Sequence, residues 1–432
     1  MHIALVRRFC SLKRAGAERH CVNLFRGLQR LGHKVTVVGE GIDAELLDEV
    51  DFLPVPVLKL NSWTKNRSFA FNVAKVIRGR SFDIVHGLSR TEGLDTYRLT
   101  DPLQTHWVKV WYRHPVSRWI QHLNPRHLAI FDLERRLFQP GGVRRVVVQS
   151  QLDGRLLREY FGVDESRICH IRNGVDTAVF NPAARLDGAA VRDELDRMFS
   201  NLSLQAMSGN KEPFRVTMIH AGATEQKHAG MNVGSTGQVS TAARPAIARS
   251  SAPLLVFASM DFRRKGLDSL LAALARLKDR EARLLVLGQG DFATYGRMAT
   301  ALGVRHRVLF AGRQSEIQRF YGAADLFVLP TVYEPFPNVN LEAMACGTPV
   351  ITTATAGGAE IIQEGRNGYV IPDAWSVDRL AEQIDHHLSL PSSEKQSMQD
   401  ACWDCASRLK IVDNAQQVAA MFEDVVREKR AA

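Results

Sequence analysis

Twice along this chain, short runs of β-branched and apolar residues alternate with helix-length amphipathic segments. In the first half the runs fall at 2–6, 34–38, 82–86, 144–149 and 167–171, with a helix expected over 18–30 and closed by Gly32. In the second half they fall at 253–258, 283–287, 308–310 and 326–329, with a helix over 266–277. Strand–helix–strand repetition of this kind builds a parallel, doubly wound sheet. The chain has 432 residues, too many for one core, so the two halves predict two facing Rossmann-like α/β domains. Open sheets of this class take ligands at the carboxyl ends of their strands, which places the expected site in the gap between the domains. The boundaries expected are 1–185 and 252–410. Between them, 196–251 is rich in Gly, Ser, Thr, Ala and Asn and lacks sustained periodicity. It reads as a long, mobile insertion with a few buried turns near 214–219. Two helices, about 392–408 and 414–430, close the chain.

Bulk properties exclude several classes. No apolar run reaches the length of a membrane span. The apolar stretch at 2–6 meets Arg7 and Arg8 and is too short for a signal peptide, so a cytoplasmic protein is expected. Six cysteines are scattered, and Cys402 and Cys405 form a lone C-x-x-C without a second pair. Reduced thiols, and no metal site, are the expectation. A net charge of +10 admits nucleic acid, an anionic membrane or anionic substrates. No nucleic-acid motif accompanies it, so no nucleic-acid partner is expected.

The most specific segment runs Tyr333-Glu334-Pro335-Phe336-Pro337-Asn338-Val339-Asn340-Leu341-Glu342-Ala343-Met344-Ala345-Cys346-Gly347-Thr348-Pro349-Val350. Glu334 lies in a Pro-bounded loop. Glu342 lies one turn into a helix that ends at Gly347, and a β-branched strand follows. Backbone N–H groups at Asn338 and Val339 open that helix and suit an anion such as a diphosphate. Glu334 can reach the group beyond the phosphates, and Glu342 can bond ribose hydroxyls. Phosphate, sugar and ribose contacts in one segment point to a nucleotide sugar.

This run resembles the Glu-x7-Glu signature of the retaining GT-B glycosyltransferases of family 4. The resemblance covers about 1–185 and 252–430, and its specific motifs lie in the C-terminal half. It implies a GT-B fold, a metal-independent hexosyltransferase and a final helix, about 412–430, that crosses back onto the N-terminal domain. No cofactor is implied; the nucleotide sugar is a substrate. Arg264 and Lys265, in Asp261-Phe262-Arg263-Arg264-Lys265-Gly266, resemble the family's diphosphate-contacting cations, with Arg263 as the fallback. Fixed cations there stabilise the charge on a departing nucleoside diphosphate. Ala15-Gly16-Ala17-Glu18 opens the first helix, where the family has two glycines, and implies a donor contact at Gly16. A tight turn is the plainer reading of that loop. Arg313, after the strand at 308–310, is placed beside the nucleotide base or on the surface. The turn Asn173-Gly174-Val175-Asp176 and the segment Gly357-Gly358-Ala359-Glu360 also resemble the family, in structural roles.

Within the family, Gly93-Leu94-Asp95-Thr96-Tyr97-Arg98-Leu99-Thr100-Asp101 resembles the lipopolysaccharide core α-1,3-glucosyltransferases that act on heptose. That likeness implies Asp101 as a group that holds a donor hydroxyl or assists the acceptor, with His106 as the alternative. Residues 102–131 contain no Asp or Glu. They interleave Trp107, Trp111 and Trp119 with Lys109 and Arg113, which suits an anionic headgroup layer. Burial of the tryptophans in the N-terminal domain is the other reading. The expectation is a glycosyltransferase peripheral on the inner membrane. It would move glucose from UDP-glucose to the lipopolysaccharide inner core. Mannosyl, galactosyl or N-acetylhexosaminyl transfer to exo- or capsular polysaccharide stays open. A GT-B nucleotide-sugar epimerase and a non-catalytic basic binding protein are the remaining alternatives.

Overall fold

The computed structural model describes residues 1–13, 16–207 and 252–431, with side chains of 203–207 left aside. Seven parallel strands form the N-terminal sheet: β1 (His2–Val6), β2 (Lys34–Gly39), β3 (Asp51–Pro54), β4 (Ile84–Gly87), β5 (Thr96–Arg98), β6 (Arg145–Val148) and β7 (Ile168–His170). Their spatial order is β3-β2-β1-β4-β5-β6-β7. Six more parallel strands form the C-terminal sheet: β8 (Leu254–Ser259), β9 (Arg283–Gly288), β10 (Val308–Gly312), β11 (Leu326–Leu329), β12 (Val350–Thr353) and β13 (Gly368–Ile371), ordered β10-β9-β8-β11-β12-β13. In both sheets the order reverses beside the first strand, which opens a crevice at the carboxyl ends. Every residue of β8 and of β11 is buried. Helices cover both faces, so these strands read as continuous apolar runs without alternation.

The helices that place the site are α1 (Gly16–Arg30), α2 (Gln104–Trp111), α3 (Pro115–Gln121), α4 (Pro125–Phe138), α5 (Gln151–Phe161), α6 (Gly188–Met207), α7 (Leu267–Leu274), α8 (Asn338–Ala345) and α9 (Ile411–Ala431). The last of these crosses back. Val418, Phe422 and Val425 of α9 share a core with Leu24, Phe25 and Leu28 of α1. The ring of Phe422 meets His86 edge-on at 5.0 Å.

Two boundaries differ from the sequence expectation. Val175 and Phe180 pack into the C-terminal core, not the N-terminal one, so that domain's core begins before residue 185. The expected insertion also begins later than 196. Helix α6 continues to Met207, and its Val191, Leu195 and Phe199 are buried in the same core. Apolar spacing within 188–199 drives this, and the polar composition further on masks it. The remainder of 196–251, with the turns expected near 214–219, lies outside the described residues.

The chain crosses between domains twice, side by side. The Val175 N–H donates to Leu409 at 2.8 Å and the Ile411 N–H donates back to Val175 at 3.2 Å. Gly174 permits that approach, because a Cβ there would stand 2.3 Å from the Lys410 backbone. Farther along, Glu360 of the C-terminal domain accepts the Gln151 and Leu152 N–H groups at 2.9 Å each. A carboxylate from one domain thus caps the first turn of α5 in the other. Tyr333 adds a third link, its hydroxyl donating to Asp153 at 2.9 Å.

Asp153 is fully buried, and burial pushes its carboxyl up to about 7 against the hydrogen bonds from Tyr333 and Ser150. A carboxyl protonated more readily in the folded than in the unfolded chain contributes stability at low pH and loses it as pH rises from about 4 to about 7. Asp153→Asn removes that dependence. It should raise the stability of the chain at pH 8 by on the order of 1–3 kcal/mol, with the difference smaller at pH 5 and gone only below about pH 4, as read by urea unfolding across that range.

Candidate active site

A cleft of about 1110 Å³ lies between the carboxyl ends of the two sheets. The N-terminal domain brings Gly16 and Asp101 to its wall. The C-terminal domain brings Arg264, Lys265, Arg313, Glu334, Asn338, Val339 and Glu342. Residues more than 300 positions apart in sequence thus share one cavity, as Gly16 and Asn338 do.

Lys265 and Glu334 form an ion pair in direct contact at the centre of the C-terminal wall. Their side chains are only 8% and 17% exposed. The loops that carry them are sewn together on either side of the pair. The Val332 N–H donates to the Arg264 carbonyl at 3.0 Å, and the Thr331 hydroxyl reaches the same carbonyl at 3.2 Å. The Gly357 N–H donates to the Glu334 carbonyl at 2.8 Å. Gly266 sits at φ +77°, and a Cβ there would stand 2.0 Å from the Pro330 oxygen, so only glycine lets the chain turn into α7 this close to β11. That is the physical content of the Lys-Gly pair. Burial, and Arg264 alongside, push the Lys265 ammonium down, and Asp261 opposes them by favouring the charged form.

Helix α8 begins beside this pair. Pro337 at its N-cap supplies no side-chain acceptor, so the positive end of the helix dipole faces the cleft. Gly16 begins α1 on the opposite wall, and a Cβ on it would lie 3.5 Å from Nδ2 of Asn338. Two helix N-termini therefore confront each other across a narrow gap. At the far end, burial raises the Glu342 carboxyl, countered by Arg19 of α1 and the Tyr321 hydroxyl. Arg313 reaches across to donate to the Lys13 carbonyl, tying β10 to the loop before α1.

Asp101 stands on the N-terminal wall, 43% exposed. Burial pushes its carboxyl up, but Arg7, Arg90 and Arg264 more than offset that and hold it below the ordinary carboxylate range. Arg7 is 3.4 Å away and also bonds Glu18 at 2.9 Å. Arg90 pairs with the fully buried Glu134 at 3.0 Å. Asp101 is thus an ionised acceptor, fixed in place and open to the cleft.

His106 does not join it. Its ring packs edge-on against Tyr333 at 4.7 Å and bonds the Tyr160 hydroxyl at 3.2 Å, outside the cleft wall. Burial and Lys109 push its pKa down to about 4, so it is a neutral packing group. Arg263 also turns away, its guanidinium lying 4.9 Å from the ring centre of Trp111.

The aromatic–cationic segment divides in two. Trp107 stacks on Trp111 at 4.7 Å, and Arg113 lies 5.0 Å over Trp375 of the other domain. Lys109 faces Glu159 at 3.5 Å. These residues are spent on contacts within the chain, because rings half-covered by the domain attract the nearest cations. Trp119 is 65% exposed, and Val116, Ile120 and Leu123 surround it as exposed apolar groups on and after α3. Among the described residues no helix is long and apolar enough to cross a membrane.

Several cleft residues were not among those expected to act on the substrate. Arg7, Glu18, Arg19, Arg98 and Asn173 all line it. Arg7 follows the first strand directly and was legible as a strand-end residue. The others depend on which strands become neighbours.

Residues 241–401 match the family model described as "Glycosyl transferases group 1", and residues 14–179 match "Glycosyltransferase Family 4". The chain is 23% identical over 380 residues to lipopolysaccharide glucosyltransferase WaaG of Escherichia coli, covering 87% of this chain and 86% of that one. It is 36% identical over 157 residues to the lipopolysaccharide core biosynthesis glycosyltransferase LpsE of Rhizobium meliloti, covering 35% of this chain and 46% of that one. A Methanocaldococcus jannaschii glycosyltransferase is 41% identical over 126 residues, covering 27% of this chain and 32% of its own length. The chain thus spans less than half the length of the last two relatives. The fold matches the crystal structure of WaaG with a TM-score of 0.74 at 20% identity over 97% of this chain and 99% of that one. It matches Anabaena HepE in complex with UDP-glucose with a TM-score of 0.65 at 18% identity over 98% of this chain and all of the other. These neighbours establish the two-domain GT-B architecture.

Lys265→Ala should cut turnover by about 100- to 1,000-fold at saturating substrates, the usual loss for one fixed group facing developing negative charge. His106→Phe should leave turnover within about threefold of the parent, since it keeps the ring packing. Steady-state kinetics on the two variants checks both.

Proposed function

Carrying both matched domains, the chain belongs to the glycosyltransferases, and we propose that it moves a hexose, glucose first, from a UDP-sugar to a saccharide acceptor with retention at the anomeric carbon. The observation that carries this reading is the Lys265–Glu334 pair set against the bare N-terminus of α8 inside the cleft. Without ligand the two charges neutralise each other. A diphosphate offers Lys265 a second anion, which frees Glu334 to bond the hydroxyls of the donor sugar. Arg264 stands beside them, and Glu342 beyond the phosphates is placed for the ribose. Asn338 and Val339 offer backbone N–H groups.

The reaction forms one bond from the acceptor oxygen to the anomeric carbon and breaks the bond from that carbon to the diphosphate. The acceptor proton passes to the leaving phosphate oxygen on the same face. Negative charge grows on the diphosphate, where two cations and a helix dipole already point. These groups supply that neutralisation without a divalent metal. Asp101 is placed to bond a donor hydroxyl or the attacking acceptor hydroxyl.

The heptose region of a lipopolysaccharide core is the proposed acceptor, supported by the names of WaaG and LpsE. UDP-glucose as donor is supported by the ligand named with HepE. We place the protein on the cytoplasmic face of the inner membrane. Attachment rests on Trp119, Val116, Ile120 and Leu123, with Arg126 as an exposed cation beside them. Trp107, Trp111 and Arg113 have no part in it.

Two measurements test the reading. Incubation with UDP-glucose and a heptose-terminated core acceptor should yield UDP and an α-linked product by proton NMR. Release of free sugar from donor alone, or a β-linked product, contradicts it. In sedimentation with vesicles containing anionic phospholipid, Trp119→Ser should lower the bound fraction several-fold, while Trp107→Phe should leave it unchanged.

A further inference from the structure

Arg98 ends β5 and is fully buried, yet it lies in the wall of the cleft. Its Nη2 donates to the Ile171 carbonyl at 3.1 Å and to Oδ1 of Asn173 at 2.6 Å. Its Nε and Nη1 have no hydrogen-bond partner among the described residues, and no carboxylate there forms an ion pair with it. A buried guanidinium without a counter-charge is costly unless something else supplies the anion. Burial alone lowers its pKa, to about 9, so it remains a cation at neutral pH.

The contacts of Arg98 have a direction. A guanidinium only donates, so Asn173 must turn its oxygen toward Arg98. Nδ2 of Asn173 then faces away, and it donates to Oδ1 of Asn338 at 2.5 Å. Asn338 has one oxygen, and that oxygen is now used. Its Nδ2 is therefore turned toward Gly16, where a Cβ would stand 3.5 Å away. That is the gap between the N-termini of α1 and α8. The polarity of three side chains, from two domains and the crossing between them, is set at one end by a residue that cannot accept.

We propose that Arg98 is a positioning residue for the donor: acting through Asn173, it fixes the side-chain amide of Asn338 as a hydrogen-bond donor to the diphosphate, in addition to the backbone groups of α8. The proposal rests on the glycosyltransferase reading. Without Arg98, Asn173 is free to flip, and Asn338 presents its oxygen to the anion in a share of molecules. The relay also links the domains, since it assembles only when the turn at Asn173 meets α8.

The test is a double-mutant cycle on the full chain, with UDP as the probe in calorimetric titration and thermal unfolding in parallel. Arg98→Met and Asn338→Ala should each weaken UDP binding about tenfold, a usual loss for a hydrogen bond to a charged group. The double variant should be no weaker than the worse single one, because both changes remove the same contact. Donor KM should rise in Arg98→Met while the acceptor KM holds, a split that loss of packing alone does not produce. Where Arg98→Met does not fold, the cycle between Asn173→Ala and Asn338→Ala carries the same test. Additive losses, or a loss below about threefold in Arg98→Met, overturn the proposal. Failure of the unaltered chain to bind UDP or GDP is a different result, and it removes the glycosyltransferase reading itself.

Discussion

A buried ammonium held against a buried carboxylate organises this molecule. Lys265 and Glu334 come from separate loops of one sheet, and their side chains are only 8% and 17% exposed. Either charge alone at that depth would be costly. Together they are tolerated, and they keep both loops in place before any substrate arrives. The pair is poised for exchange, because a diphosphate competes for Lys265 and a sugar hydroxyl satisfies Glu334. Preorganisation of this kind costs no rearrangement when charge develops in the transition state.

The N-terminal domain completes the site, and its attachments explain how. Both crossings of the chain lie side by side at Val175 and Ile411, so they form one narrow pivot. The Glu360 cap on α5 and the Tyr333 bond to Asp153 hold the domains at a second place. Arg263 over Trp111 and Arg113 over Trp375 form a third, next to the segment that carries the exposed Trp119.

Most of the architecture was legible in the sequence. Continuous apolar runs such as 254–259 suit a parallel strand covered on both faces, and Gly32, Gly266 and Gly347 mark turns that the structure places in the left-handed region. The residues of the Glu334–Glu342 segment meet in one cleft because a loop, a helix start and its first turn are local. What escaped was non-local. Asn173 belongs to the site only because its turn meets α8. Glu360 caps a helix of the other domain, and no spacing in the sequence announces that. His106 stands only four intervening residues from Asp101 along the chain, but in space its ring packs against Tyr333 and not on the cleft wall. Trp107 and Trp111 share the composition of Trp119, and only packing divides them into covered and exposed rings.

The central claim is that a nucleoside diphosphate lies between the N-termini of α1 and α8, with Lys265 on its flank. A crystal structure of the chain with UDP tests it most directly. The account predicts a β-phosphate within hydrogen-bond distance of the Asn338 backbone and the Lys265 ammonium, with the ribose at Glu342. Ordered UDP elsewhere in the cleft, with the Lys265–Glu334 pair undisturbed, would contradict it.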